Sequence, residues 1–461
     1  MNKQTSEILI LLINVAKWVL FATVTGLLIG LSTTFIVKSL EFVINFSSGY
    51  SYSLYLLPFG LMASAWITSS WAPEAGGQGL ERVIQAIHYR SGKIHGQVIP
   101  AKLIATILTI GAGGSAGSVG PCAQIGGGLA SIFSDLCKLD DSDRKTLVIC
   151  GISAGFASVL GAPIAAAFFG VEALFVGSLA YQVLLPSVMA ATVSHQVALT
   201  FGLHYWQVPL EVVPSISLSM IPWVIGGGLA FGLCAILLIE GMTLGMYVSL
   251  RIHVHPAIKG LLGGFVLLGV AHLFSPKVLG LGVDVIQHTI QGHQIVWYIF
   301  LIKILVTSIT LNFGGSGGII LPICFVGTTA GALFGTLFNL PTDLFAALGL
   351  AGLLAGAINT PITAVLLAIE LFGLPVGAYA IVICAISFLI SGHRSAIPTQ
   401  LLAINKAPAI HIPLKEEIGK VKSEIEPWNE QLKYYQTLLK RYTFNSKKSG
   451  QNETKKKPSE P

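Results

Sequence analysis

The sequence predicts an all-α integral membrane protein of paired and broken helices, arranged in two duplicated halves. Three observations carry this. Only 10% of the 461 residues are charged and the mean hydropathy is +0.76, whereas a soluble domain carries about 25% charged residues. Apolar segments follow one another over 8–37, 54–72, 98–133, 146–175, 179–203, 216–250, 256–275, 295–312, 319–338, 344–372 and 374–391, several of them longer than the roughly 20 residues that cross a bilayer. The interruptions inside these segments recur with matching residues about 200 positions apart.

The net charge of +6 sits in loops and in the tail, which is the distribution of orientation signals and not of a nucleic-acid binder. Six cysteines stand singly, with no metal-ligand spacing, and read as small buried hydrophobes. The first apolar run is too long for a signal-peptide core and has no small-residue cleavage site. Residues 81–95 carry Arg82, Arg90 and Lys93, while 47–57 carry no charge; the positive-inside rule puts 81–95 and the tail in the cytoplasm. The chain divides into a cytoplasmic N-terminus (1–14), a first membrane repeat (15–205), a second membrane repeat (215–405) and a charged, partly disordered cytoplasmic tail (406–461). Within the tail, Ile418 to Arg441 is predicted as an amphipathic helix interrupted at Pro427, and Lys447 to Pro461 as disordered.

The stretch Gly113 to Gly128 is glycine-dense, uncharged and set in an apolar region. Backbone released from regular hydrogen bonding is tolerated at membrane depth only where it lines a cavity. Pro121 is suited to the first turn of a helix. A helix starting there aims unpaired N–H groups and a positive dipole end at the cavity, which suits an anion.

A second copy of this device follows. Gly117 to Pro121 and Gly318 to Pro322 both read Gly-x-x-x-Pro. Ala162-Pro163-Ile164 is matched by Thr360-Pro361-Ile362, Gly151 by Gly349, and the lone acid Glu172 by Glu370. Duplicated halves around a shared site are a transporter plan. In it the two Gly-x-x-x-Pro turns face each other, and each presents a helix start.

These residues resemble the CLC family of chloride channels and chloride/proton antiporters, in its prokaryotic type without cytoplasmic CBS domains. The resemblance covers about residues 15–405. Ala72 to Leu80 resembles the family's first pore loop, Gly-Ser-Gly-Ile-Pro. Gly117-Ser118-Val119-Gly120-Pro121, with Gln124-Ile125-Gly126-Gly127, resembles the second, Gly-(Arg/Lys)-Glu-Gly-Pro. Gly318 to Pro322 resembles the third, Gly-x-Phe-x-Pro, and Asn359 to Glu370 resembles a late helix of the second half. The resemblance implies a CLC-type inverted repeat of tilted and broken transmembrane helices. It also implies a homodimer with a pore in each subunit and contacts near 164–200 and 361–391. The setting it implies is a bacterial inner membrane.

The departures from the family pattern matter most. The gating glutamate falls on Val119, and the inner proton-transfer glutamate, which would follow Glu172, falls on Ala173. The resemblance then implies an anion site formed by Gln78, Ser118, Val119, Gly120, Ile319 and Ile320, with Val119 at the gate. Gln78 replaces a serine, and its amide still donates to an anion. Ile320 replaces an aromatic, and the family's central tyrosine has no match within Ser391 to Pro398. Without titratable groups at 119 and 173, passive anion flow is expected. The alternative is anion/proton exchange through a substitute acid such as Glu172. Chloride is the expected anion, with fluoride, nitrate and bicarbonate open.

For Glu172 and Glu370 two readings stand: functional intramembrane acids, or a helix-end role common to both halves. Lys17, Lys102, Glu240 and Lys303 are read as snorkelling or vestibule-facing. His195, His204 and His272 are read as interhelical or interfacial contacts. No Ser-His-Asp, HExxH or Walker pattern is present. Neither enzymatic activity nor a cofactor or metal is expected; the partners are a small anion and the bilayer.

Overall fold

A computed structural model describes residues 3–425, apart from 51–52, 206, 211–212, 216, 408–409 and 421–423. The first half holds α1 (Lys3–Ser48), α2 (Leu57–Ser70), α3 (Leu80–Tyr89), α4 (Val98–Gly111), α5 (Val119–Leu136), α6 (Asp141–Leu160), α7 (Pro163–Glu172) and α8 (Leu184–Thr200). The second holds α9 (Ile221–Arg251), α10 (Pro256–Leu273), α11 (Val283–Ile290), α12 (Ile299–Asn312), α13 (Ile320–Leu337), α14 (Thr342–Ile358), α15 (Pro361–Phe372) and α16 (Gly377–Ile390). Element for element, the two series correspond.

Among the described residues, five helical stretches are long and apolar enough to cross a bilayer, including Ser6–Ser47 and Ile221–Arg251. Most of the others are too short to span alone. They meet end to end at the breaks the sequence marks. Gly161 closes α6 in the left-handed conformation and Pro163 opens α7; Asn359 and Pro361 do the same between α14 and α15. Proline fits a first helical turn because it lacks only an N–H that would be unpaired there. The central helices are wrapped by their neighbours, and α14 is buried from Leu344 to Ile358. The flanks of α1 and α9 expose leucine, isoleucine and phenylalanine, as lipid-facing helices do.

One expectation needs correction, at the start of the expected tail helix. Ile418–Lys420 is a single 3-10 turn, and Glu424–Ile425 (β4) pairs antiparallel with Ile410–His411 (β3). The rest of that expected helix, and Lys447 to Pro461, lie outside the described residues. Leu401–Leu402 (β2) pairs in parallel with Phe175–Val176 (β1), tying the chain after α16 to the end of α7.

Candidate functional site

The two halves meet backbone to backbone. Gly117 N–H donates to Gly318 O at 2.7 Å, and Gly318 N–H donates to Gly117 O at 2.6 Å. A Cβ on Gly120 would lie 2.4 Å from Gln78 O and 2.8 Å from Gly318 Cα. Only glycine permits this approach. The loop before α3 and the starts of α5 and α13 therefore converge on one point.

Side chains from each half hold the loop of the other. Ser316 N–H donates to Thr109 Oγ1 at 2.9 Å, and Ser115 N–H donates to Thr310 Oγ1 at 3.1 Å. Ser115 and Thr307 share a hydroxyl contact of 2.9 Å. Lys102 donates to Ala75 O at 3.1 Å and Gly77 O at 2.7 Å. Its counterpart Lys303 donates to Val278 O and Gly280 O, both at 3.0 Å. Both lysines are fully buried, which corrects the snorkelling expectation. Backbone carbonyls take up their charge, and among the described residues neither has a carboxylate partner. Gln124, on α5, donates to Glu74 O at 2.7 Å and fixes the same loop from the other side.

The starts of α5, α7, α13 and α15 fall into two kinds. At α7 the N–H groups of Ile164 and Ala165 donate to Glu370 at 2.9 and 2.8 Å. At α15 the N–H groups of Ile362 and Thr363 donate to Glu172 at 3.0 and 2.8 Å, and the Thr363 hydroxyl does so at 2.6 Å. Each acid lies in the last turn of one of these helices and caps the start of the other. Both acids thus make the contacts that the helix-end reading expects. The starts of α5 and α13 have no side-chain cap. Their first ladder bonds are Cys122 N–H to Ser118 O and Ile323 N–H to Ile319 O, and Pro121 and Pro322 have no N–H. The N–H groups of Val119, Gly120, Ile320 and Leu321 thus precede any intrahelical acceptor.

The six residues expected to form the anion site lie in or beside this convergence. Ser118 and Ile319 are the capping positions, Val119 and Ile320 open the helices, and all four are buried. Gln78 lies against Gly120, and its Oε1 is buried without a hydrogen-bond partner. None of the six is ionisable. Ala173 caps the end of α7 away from this point, and its carbonyl accepts from Gln400 Nε2 at 2.9 Å.

Sequence reasoning missed Gln400. It is fully buried, also donates to Ile358 O at 2.8 Å, and accepts from the Ser395 hydroxyl at 2.6 Å. No local motif signals it, since its partners lie on remote elements. In the stretch lacking the tyrosine, Arg394 pairs with Glu240 at 2.9 Å. Lys17 pairs with Asp143. The His195 ring packs on Tyr205, and His272 accompanies Tyr55. Among the described residues, no group of three potential ligands could hold a metal ion.

Comparison with known proteins agrees with this geometry. Residues 59–392 match the family model described as voltage gated chloride channel. The chain is 33% identical over 422 residues to a chloride/fluoride channel protein of Pseudomonas syringae pv. tomato, covering 89% of this chain and 92% of the relative. It is 27% identical to an uncharacterized protein of Methanocaldococcus jannaschii, covering 78% of this chain and 90% of that one. A crystal structure of a CLC-type fluoride/proton antiporter superposes with a TM-score of 0.80 at 27% identity, over 84% of this chain and 98% of that one. A slow cyanobacterial Cl-/H+ antiporter shares the fold, with a TM-score of 0.72 at 21% identity, over 81% of this chain and 94% of that one.

Proposed function

The chain belongs to the voltage gated chloride channel family, and from that premise we propose that it conducts chloride or a similar small anion passively, without exchanging protons. The observation that carries this is the contrast between the four helix starts. Where α7 and α15 begin, the protein supplies its own carboxylates; where α5 and α13 begin, it supplies none. Converging dipole ends with unpaired N–H groups attract a negative charge from elsewhere. Gln78, Ser118, Val119, Gly120, Ile319 and Ile320 form the anion site, with Gln78 the side-chain donor. Val119 is the gate position, and it neither carries a proton nor mimics an anion. Ala173 leaves the inner proton site without an acid.

Proton-coupled exchange is the second reading, favoured by likeness to a fluoride/proton antiporter. Its substitute acid would be Glu172, whose carboxylate is already engaged by three donors at the start of α15. Fluoride belongs in the anion panel because two similar proteins carry it in their descriptions. The proposal extends to a homodimer meeting through α7, α8, α15 and α16, in a bacterial inner membrane with the C-terminus cytoplasmic. Purified protein in liposomes tests it. An imposed chloride gradient with a potassium ionophore drives anion efflux, and internal pH stays constant. Proton uptake against its own gradient in the same vesicles sinks the passive reading.

A further inference from the structure

The end of α7 is roofed by the chain that follows α16. β2 lies on β1, so that Leu401 N–H donates to Leu174 O at 3.2 Å and Ala403 N–H donates to Val176 O at 3.1 Å. Residues further on pair with β2 in turn. Leu402 N–H donates to Glu416 O at 3.0 Å, Lys415 N–H donates to Leu402 O at 2.7 Å, and Ile418 N–H donates to Gln400 O at 3.0 Å. Val176, Leu402, Ile412 and Ile418 form a small apolar cluster within these layers. Lys406 anchors the roof. Its Nζ donates to Asn359 Oδ1, at the break between α14 and α15, and to Phe388 O on α16, both at 2.6 Å. Gln400, next to β2, bridges two helix ends. Its Nε2 donates to Ala173 O after α7 at 2.9 Å and to Ile358 O at the end of α14 at 2.8 Å. Ala173, Leu174 and Gln400 are each no more than 1% exposed.

We infer that Gln400 and the roof it joins seal position 173 against water, which makes Gln400 a determinant of anion-over-proton selectivity. The inference rests on the passive reading, in which Ala173 stands where an inner acid would be. Loss of an acid stops proton transfer by a side chain. It does not stop transfer along hydrogen-bonded water. A buried water needs two to four polar partners. Gln400 engages the carbonyls of Ala173 and Ile358, the groups that would otherwise hold such a water, and the Ser395 hydroxyl occupies its own oxygen at 2.6 Å. The apolar cluster in the roof offers a water nothing. An amide does not titrate near neutral pH, so the bridge closes the position without supplying a proton carrier.

A thiol at Ala173→Cys reports water access. A Cys137→Ser background removes the one exposed native thiol among the described residues. Labelling by a charged, water-soluble thiol reagent is timed on the purified protein. With Gln400 in place it should be far slower than labelling of Cys137 in the parent chain. Gln400→Met keeps the volume and loses the bonds; it should speed labelling by about tenfold or more, the equivalent of one hydrogen bond. Lys406→Met frees the anchor without touching Gln400 and should act in the same direction. Unfolding temperatures show that each variant is folded. Fast labelling with Gln400 in place, or slow labelling in both variants, overturns the seal. Anion efflux and internal pH are followed in liposomes of the same chains without the probe. Gln400→Met should let protons in along their gradient while anion efflux persists. Proton uptake against its gradient by the wild type, with a slow-labelling probe, defeats the passive reading alone. Anion efflux without proton movement, with a fast-labelling probe beside native Gln400, defeats the seal alone.

Discussion

Glu172 accepts hydrogen bonds from both the backbone N–H and the hydroxyl of Thr363, at 2.8 and 2.6 Å. The residue that ends α7 therefore caps α15, and Glu370 at the far end of α15 caps α7 in return. A carboxylate on a helix start gains from charge-assisted bonds and from the dipole together.

Glu172→Gln keeps the shape and removes the charge. It is expected to cost about 1–3 kcal/mol, the usual range for a hydrogen bond to a charged group. Glu370→Gln should cost less, because Glu370 receives two bonds where Glu172 receives three. Thermal unfolding in detergent ranks the two variants. Equal stability of wild type and Glu172→Gln would remove the capping role.

Val119→Glu puts a carboxylate at the uncapped start of α5. When ionised it competes with the permeant anion for the same N–H groups, so flux should fall by about tenfold or more, equivalent to at least about 1.4 kcal/mol. Protonation releases the site, and flux recovers as the pH is lowered. Wild-type flux stays flat over the same range. Flux unaltered by the substitution would place Val119 off the anion path.

Gly120→Ala and Gly318→Ala test the convergence sterically. The added methyl would sit 2.4 Å from Gln78 O in the first case and 2.6 Å from Gly120 N in the second. Overpacking of this kind costs about 1–3 kcal/mol. Both variants should lose flux more completely than stability, measured as efflux rate beside unfolding temperature. Normal flux in both would separate the glycine contact from conduction.

Gln78→Leu removes the only side-chain amide of the proposed site at nearly constant volume. The loss of one hydrogen bond to an anion corresponds to about tenfold weaker binding or more. Titration calorimetry with chloride and fluoride reads it directly, and Gln78→Asn should restore part of the affinity. Identical affinities for wild type and Gln78→Leu would exclude this side chain from the anion.

Much of the fold was legible because its signals are local. The breaks at Gly161–Pro163 and Asn359–Pro361 sit where glycine, asparagine and proline place them. The duplicated Gly-x-x-x-Pro turns likewise marked the two helix starts that meet. What the sequence hid depends on contacts between distant positions. The symmetry of Glu172 and Glu370 pointed to a shared structural role, but each partner lies on the opposite half of the chain. Lys102 and Lys303 read as snorkelling or vestibule-facing because nothing adjacent in sequence offers a counter-charge. The carbonyls that accept from them belong to loops over 20 residues away. The expected tail helix was misread at its start because Ile418–Lys420 and β4 are shaped by pairing with Gln400 and β3, not by their own periodicity.

If conduction follows the proposed path, the paired bonds between Gly117 and Gly318 have an electrical consequence. A contact that exchanges identical bonds looks the same from either half, so a permeant ion would meet nearly the same barrier in both directions. A palindromic barrier does not rectify. Currents at equal and opposite voltages should match closely, and vesicles holding protein in both orientations should report a single permeability. Two departures from mirror order near the seam are Gln78, whose counterpart before α11 is Leu281, and Ser118, whose counterpart is Ile319. Any residual asymmetry in the current–voltage curve should therefore shrink in Gln78→Leu.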